Sequence, residues 1–162
     1  MAGRTTSVNP AREIALGTLV VGTLDALDAI LFWARKGATP IRIFQSIAAG
    51  LLGRASFDGG LPTAALGAAT HFFIAFAVVV TYYLASRRFG VLIRRPVLCG
   101  LAYGVLVFFC MNFVVVPLSA THAPALSPAV WANGILGHAL LIGLPSALFA
   151  RRASRARAFL SG

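Results

Sequence analysis

The sequence predicts an all-α membrane protein: a four-transmembrane-helix bundle with a short interfacial amphipathic helix between the first and second spans. Three observations carry that prediction. Of the 162 residues, 59% are hydrophobic and only 11% charged, whereas a soluble domain of this length carries about a quarter charged residues. Four apolar runs, 14–34, 64–85, 96–117 and 130–150, are each about 21 or 22 residues long, enough to cross a hydrocarbon core of roughly 30 Å as helix. The basic residues are also sorted by position. Arg4 and Arg12 precede the first run, Arg87, Arg88, Arg94 and Arg95 separate the second from the third, and Arg151, Arg152, Arg155 and Arg157 follow the fourth. Only Arg35, Lys36, Arg42 and Arg54 belong to the other side. The positive-inside rule then places both termini in the cytoplasm. Residues 1–162 form one transmembrane domain, with a basic cytoplasmic tail at 151–162. The net charge of +10 suits membrane lipids, with anionic headgroups at the cytoplasmic face, and not nucleic acid.

Residues 1–10 are polar and expected to be mobile. Asn9 caps the first helix, with Pro10 at its first position and Glu13 in its first turn. This run is too long for a signal peptide and holds two aspartates, so it reads as a retained span. Gly22 and Ala26 form a small-xxx-small pair for close helix packing, beside Asp25 and Asp28. Thr39-Pro40 opens a short helix over about 40–52, with Ile41, Phe44, Ala48 and Leu51 as its apolar stripe and Gln45 and Ala49 on other faces. It lies at the membrane surface or folds over the bundle. Residues 56–63 are turn chemistry.

The second span aligns Gly67, His71, Ala75, Val78 and Tyr82 on one side. A short loop makes it an antiparallel neighbour of the third span. The third opens at Pro96 and carries Gly100-x-x-x-Gly104, a close-packing motif. Cys99 and Cys110 share this helix about 16 Å apart and cannot bridge each other. The uncharged connection after Leu118 includes His122 and is expected to be ordered and non-helical. Trp131 marks the headgroup level. The fourth span holds Gly134, Gly137 and His138, then Pro145, which is expected to kink it.

The polar intruders form the candidate site. Asp25 and Asp28 in the first span, His71 in the second, Asn112 in the third and His138 in the fourth fall within one slab of the outer half, roughly 8–12 Å inside the helix ends, with Asp25 one turn deeper. Nothing comparable is apparent in the inner half. Ionisable groups inside a span are costly unless paired or wetted. Three readings stay open. The layer is structural, with Asp25 or Asp28 paired to a histidine or to Arg35 or Arg42, and Asn112 bonded across helices. Or it carries an ion, a proton or a divalent metal. Or His71 and His138 ligate a b-type haem, with Gly67 and Gly134 one turn earlier leaving room. No catalytic residues are assigned: Ser46, Ser56 and Ser119 have no Ser/His/Asp context, and no phosphate-binding loop occurs. The role expected from these features is a non-enzymatic accessory subunit or self-associating bundle, either a homo-oligomer or part of a larger membrane complex.

Thr70-His71-Phe72 leading to Tyr82-Tyr83 and Arg87-Arg88, Gly100-Leu101-Ala102 with Val116-Pro117-Leu118, and Gly137-His138 leading to Arg151-Arg152 resemble the YagU-like small bacterial inner-membrane proteins of unknown function. The resemblance covers roughly residues 64–152 and implies a multi-span inner-membrane protein. A long periplasmic insertion after the first span is missing here, and the family supplies no catalytic role to carry over.

Overall fold

The computed structural model describes residues 9–121 and 127–160, with side chains through Ser154. The expectations for residues 1–8, His122, Arg155 and Arg157 fall on parts outside that description. Among the described residues the chain is helical and holds no strand. Helix α1 spans Pro10–Ala34, and the Asn9 side chain accepts the Ala11 N–H at 2.9 Å, the cap that Asn9-Pro10 predicts. Helix α2 spans Pro40–Leu52, with Thr39 accepting from Arg42 N–H. Helix α3 runs Gly60–Arg88 and α4 is one turn, Val91–Arg94. Helix α5 covers Pro96–Leu118 and α6 covers Pro128–Ser154, continuing as helix to Leu160. Helices α1 and α6 start before their apolar runs, at the side-chain caps Asn9 and Ser127.

Helices α1, α3, α5 and α6 are each long and apolar enough to cross a membrane. Leu19, Leu31, Phe73, Leu98, Leu106 and Leu136 are all more than half exposed on the outside. Such a surface would aggregate in water and is ordinary against lipid tails. The chain is a multi-pass membrane protein.

Lipid tails are as apolar as leucine, so helices in a bilayer gain cohesion from close backbone approach. Glycine supplies it here. A methyl group at Gly104 would overlap the His138 carbonyl oxygen and sit 2.6 Å from Ala139 Cα, and one at Gly100 would sit 2.9 Å from the Gly143 carbonyl oxygen. Gly143 returns the contact, 2.7 Å from Gly104 Cα by the same measure. The Gly100/Gly104 motif thus seats α5 on α6 inside one chain. Gly17 meets Phe149 and Val79, and Gly22 receives the Phe72 ring, so α1 packs on both α6 and α3. Val21, Ala75, Val79, Val107 and Ile142 form the buried centre where the four spans meet.

Two expectations are corrected. The short loop does not lay α3 and α5 side by side: α5 packs chiefly on α6. It reaches α3 through Tyr103, whose hydroxyl donates to the Val78 carbonyl at 2.8 Å and whose ring meets Tyr82 edge-on. Helix α2 is also rotated from its predicted register. Ile43, Gln45, Ala48 and Ala49 are buried, while Ile41 and Leu51 face out. The reason is Gly67, which lets the α2 backbone press on α3 at Phe44 and Ala48. Small side chains must face that contact. Gln45 then donates to the Gly60 carbonyl at 3.1 Å and to the Thr63 hydroxyl at 3.3 Å, and Ala120 N–H bonds the Gly50 carbonyl at 2.9 Å. Helix α2 is folded onto the bundle.

Prolines shape the other two spans. Pro117 follows a π-helical stretch, Met111–Val115, and Pro145 follows another, His138–Gly143. Proline lacks the N–H that the carbonyl four residues back requires, and its ring clashes with that carbonyl. The preceding turn widens to i→i+5 bonding, the form such an insertion takes within a helix. The kink expected at Pro145 is thus expressed as a wide turn that opens at His138.

Gly104→Val should cost about 3 kcal/mol or more, because the new side chain meets backbone that cannot retreat. Gly90→Ala, which enters open space at φ −59°, should be neutral or slightly stabilising. Thermal unfolding of the two variants in one detergent checks the contrast.

Candidate functional site

The polar layer assembles on three helices. Helix α1 presents Asp25 and Asp28 one turn apart on its α3- and α6-facing sides. Helix α3 brings His71, and α6 brings His138 from the first position of its π-helical stretch. Asp25 lies 3.9 Å from His71 and within electrostatic influence of His138 and Asp28, while the His138 ring stands edge-on to Phe108.

His71 is the buried member. Its Nε2 lies 2.8 Å from the Gly22 carbonyl oxygen. A carbonyl only accepts, so Nε2 carries the hydrogen and donates it. In the neutral ring Nδ1 is then a bare lone pair, and it faces Asp25 Oδ2 at 3.9 Å. The Phe72 and Phe44 rings stand edge-on to the imidazole and shield it. Asp25 itself keeps 27% side-chain exposure and makes no direct hydrogen bond among the described residues.

Asp28 is held differently. Asn133 Nδ2 donates to its Oδ2 at 2.9 Å, and that oxygen packs against Gly137, where a methyl group would sit 3.0 Å away. Asn133 is a site residue that the sequence reading missed. Its signal was available: a carboxamide inside the fourth apolar run, one helical turn before Gly137. Glu13 was also undervalued, because it is 7% exposed and places an ionisable group in the half of the bundle expected to have none.

Asn112 does not join the layer. Its amide donates to the Phe108 carbonyl of its own helix at 2.9 Å, a carbonyl that also accepts the Met111 N–H where the widened turn of α5 begins. The proposed arginine partners are also elsewhere. Arg42 donates to the Phe57 carbonyl at 3.4 Å and stacks its guanidinium 4.3 Å from the Phe57 ring centre. Arg35 is exposed at the end of α1. Among the described residues the one acid–base pair within 4.0 Å is Asp25–His71.

No family model, curated protein or solved structure matches this chain. The site's own geometry therefore decides what it can hold. The space expected for a haem is filled: the α2 backbone occupies the room at Gly67, and the Phe108 ring occupies that at Gly134. With Nε2 of His71 bonded to Gly22 and Nδ1 turned to Asp25, axial ligation would first have to break the layer. Among the described residues, no three His, Cys, Asp or Glu side chains are placed to hold a metal ion. The ionisable groups that face one another are the Asp25 carboxyl and the His71 imidazole.

A double-mutant cycle on Asp28→Ala and Asn133→Ala should give a coupling energy of about 0.6–1.7 kcal/mol, the range for hydrogen bonds between membrane helices. Asn112→Ala paired with any substitution on α1, α3 or α6 should give coupling near zero. Unfolding free energies in mixed micelles measure both.

Proposed function

We propose that this chain is a non-enzymatic protein of the bacterial inner membrane, with both termini cytoplasmic, whose Asp25–His71–His138 cluster binds and hands on a proton. The YagU-like resemblance and the arginine distribution support the location. One observation carries the function. The Gly22 carbonyl fixes the hydrogen of His71 on Nε2, so Nδ1 and the Asp25 carboxyl face each other with one proton to share. Two lone pairs facing each other without that proton would repel. With it on Asp25, the carboxyl is a neutral donor. With it on Nδ1, imidazolium and carboxylate form an ion pair. A gap of 3.9 Å is closed by one bridging water or a small rotation of Asp25. His138, within electrostatic reach of both aspartates, offers the next acceptor on α6.

This reading stands ahead of self-association. The glycines that argued for a homo-oligomer or an accessory role lie in contacts within the bundle. A purely structural layer is the competing reading, and the Asp28–Asn133 bond serves it well. Asp25, which makes no such bond among the described residues, does not.

Infrared difference spectroscopy of the full chain in lipid nanodiscs, between about pH 5 and about pH 8 where imidazoles titrate, tests the proposal. A carboxyl band should change with pH, disappear in Asp25→Asn and shift in His71→Gln. Vesicles containing the parent should dissipate an imposed pH gradient faster than vesicles containing Asp25→Asn. An unchanged spectrum in Asp25→Asn, with equal rates of dissipation, would leave the layer structural.

A further inference from the structure

The opposite end of the bundle holds a second polar site, independent of the proton cluster. Tyr83, Ser86, Arg87, Gly90, Ile93 and Ser154 line a pocket of about 430 Å³ between the end of α3, α4 and α6. Its floor is buried, with Tyr83 8% and Ser86 3% exposed, while Arg87 and Gly90 are exposed at its rim. Ser86 Oγ donates to the Tyr83 carbonyl at 2.6 Å. Among the described residues, the Tyr83 hydroxyl, the Ser154 hydroxyl and the Arg87 guanidinium make no hydrogen bond or ion pair. The side-chain donors of the lining are thus available, and no carboxylate stands among them.

The charge around this pocket is unbalanced. Arg88, Arg94 and Arg95 flank its residues in sequence, and Arg151 and Arg152 precede Ser154 on α6. The chain has four acidic residues. Asp25, Asp28 and Asp58 lie elsewhere, and Glu13, buried in the first turn of α1 at this end, is within 4.0 Å of no arginine among the described residues. The C-terminal dipole of α3 disfavours an anion by the equivalent of about half a charge, which the arginines outweigh. Among the described residues no carboxylate lies within 4.0 Å of these arginines, which leaves their charge open to an anion from outside. The lining also straddles the switch from apolar α3 to its Arg87-Arg88 end, the depth at which lipid phosphates lie.

We propose that this pocket binds a phosphate group, with Arg87 as the charged ligand and the Tyr83 and Ser154 hydroxyls as neutral donors. The group is carried either by an anionic phospholipid or by a soluble phosphate. Gly90 gives a clean test. Its φ is −59° and a Cβ there meets only Arg94 Nε, 4.0 Å away, so Gly90→Leu fills the pocket without backbone strain.

Native mass spectrometry of the detergent-purified full chain, titrated with phosphatidylglycerol and with phosphatidylcholine of the same acyl chains, reads the binding. The parent should retain phosphatidylglycerol preferentially. Arg87→Gln should weaken it by about tenfold, the scale of one charge-assisted hydrogen bond. Gly90→Leu should abolish the preference, and Arg12→Gln, an arginine change outside the pocket, should preserve it. Inorganic phosphate that competes the lipid off the parent, or raises its melting temperature but not that of Gly90→Leu, would make soluble phosphate a ligand of the same site. Phosphate without effect would assign the site to the lipid headgroup. Equal retention by the parent, Arg87→Gln and Gly90→Leu, all with parental melting temperature, would overturn the pocket in favour of diffuse attraction. So would the absence of both lipid preference and phosphate effect.

Discussion

Backbone contact at glycine is the constraint on which this bundle depends. In a bilayer, burying a leucine against another helix gains little over burying it against lipid, so tight packing must supply the cohesion. Gly100 and Gly104 of α5 interlock with Gly143 of α6 at distances that admit no side chain. The same device repeats where α2 meets α3 at Gly67 and where α1 meets α3 at Gly22. Each contact also does a second job. The α5–α6 seat holds the wide turn that starts at His138. The α2–α3 seat brings Phe44 over His71, and Gly22, free of a side chain, offers its carbonyl to the imidazole.

The two wide turns link proline chemistry to the polar groups. Pro145 disrupts the ladder behind it, and His138 opens the resulting stretch. Pro117 does the same in α5, where Asn112 turns back to satisfy a carbonyl of its own helix. One wide turn thus starts at a residue of the cluster, while the other contains an asparagine bonded to its own helix. The difference is local: His138 stands within electrostatic influence of the α1 aspartates with its ring edge-on to Phe108, whereas the Asn112 amide shares the Phe108 carbonyl with the Met111 N–H.

The two ends of the molecule are chemically distinct. One half concentrates carboxyl and imidazole groups within the apolar thickness, where a proton is the cheapest charge to move. The other concentrates arginines at the surface, beside the hydroxyls of Tyr83, Ser86 and Ser154. The proposed proton site and the proposed phosphate site use the same principle from opposite sides: a polar group without a full partner among the described residues is available to something else.

Composition, run length and charge order determined much of this. Four spans, the caps at Asn9 and Thr39, the short helix at 40–52 and the identity of Asp25, Asp28, His71 and His138 as one layer could all be read from spacing, because helix rise and hydrocarbon thickness are fixed quantities. Packing partners could not. Small residues mark a close contact without naming what fills it, so the room at Gly67 and Gly134 looked like cofactor space and proved to be backbone and Phe108. Hydrogen-bond partners were equally hidden. Asn112 and Asn133 are the same residue type in comparable spans, and only the rotation of each helix about its axis decides that one bonds its own backbone and the other bonds Asp28. The sequence by itself determined which residues lie at which depth. The tertiary structure alone decided which of them face one another, because depth follows from rise along a helix, while facing depends on how neighbouring helices rotate to bring their backbones together.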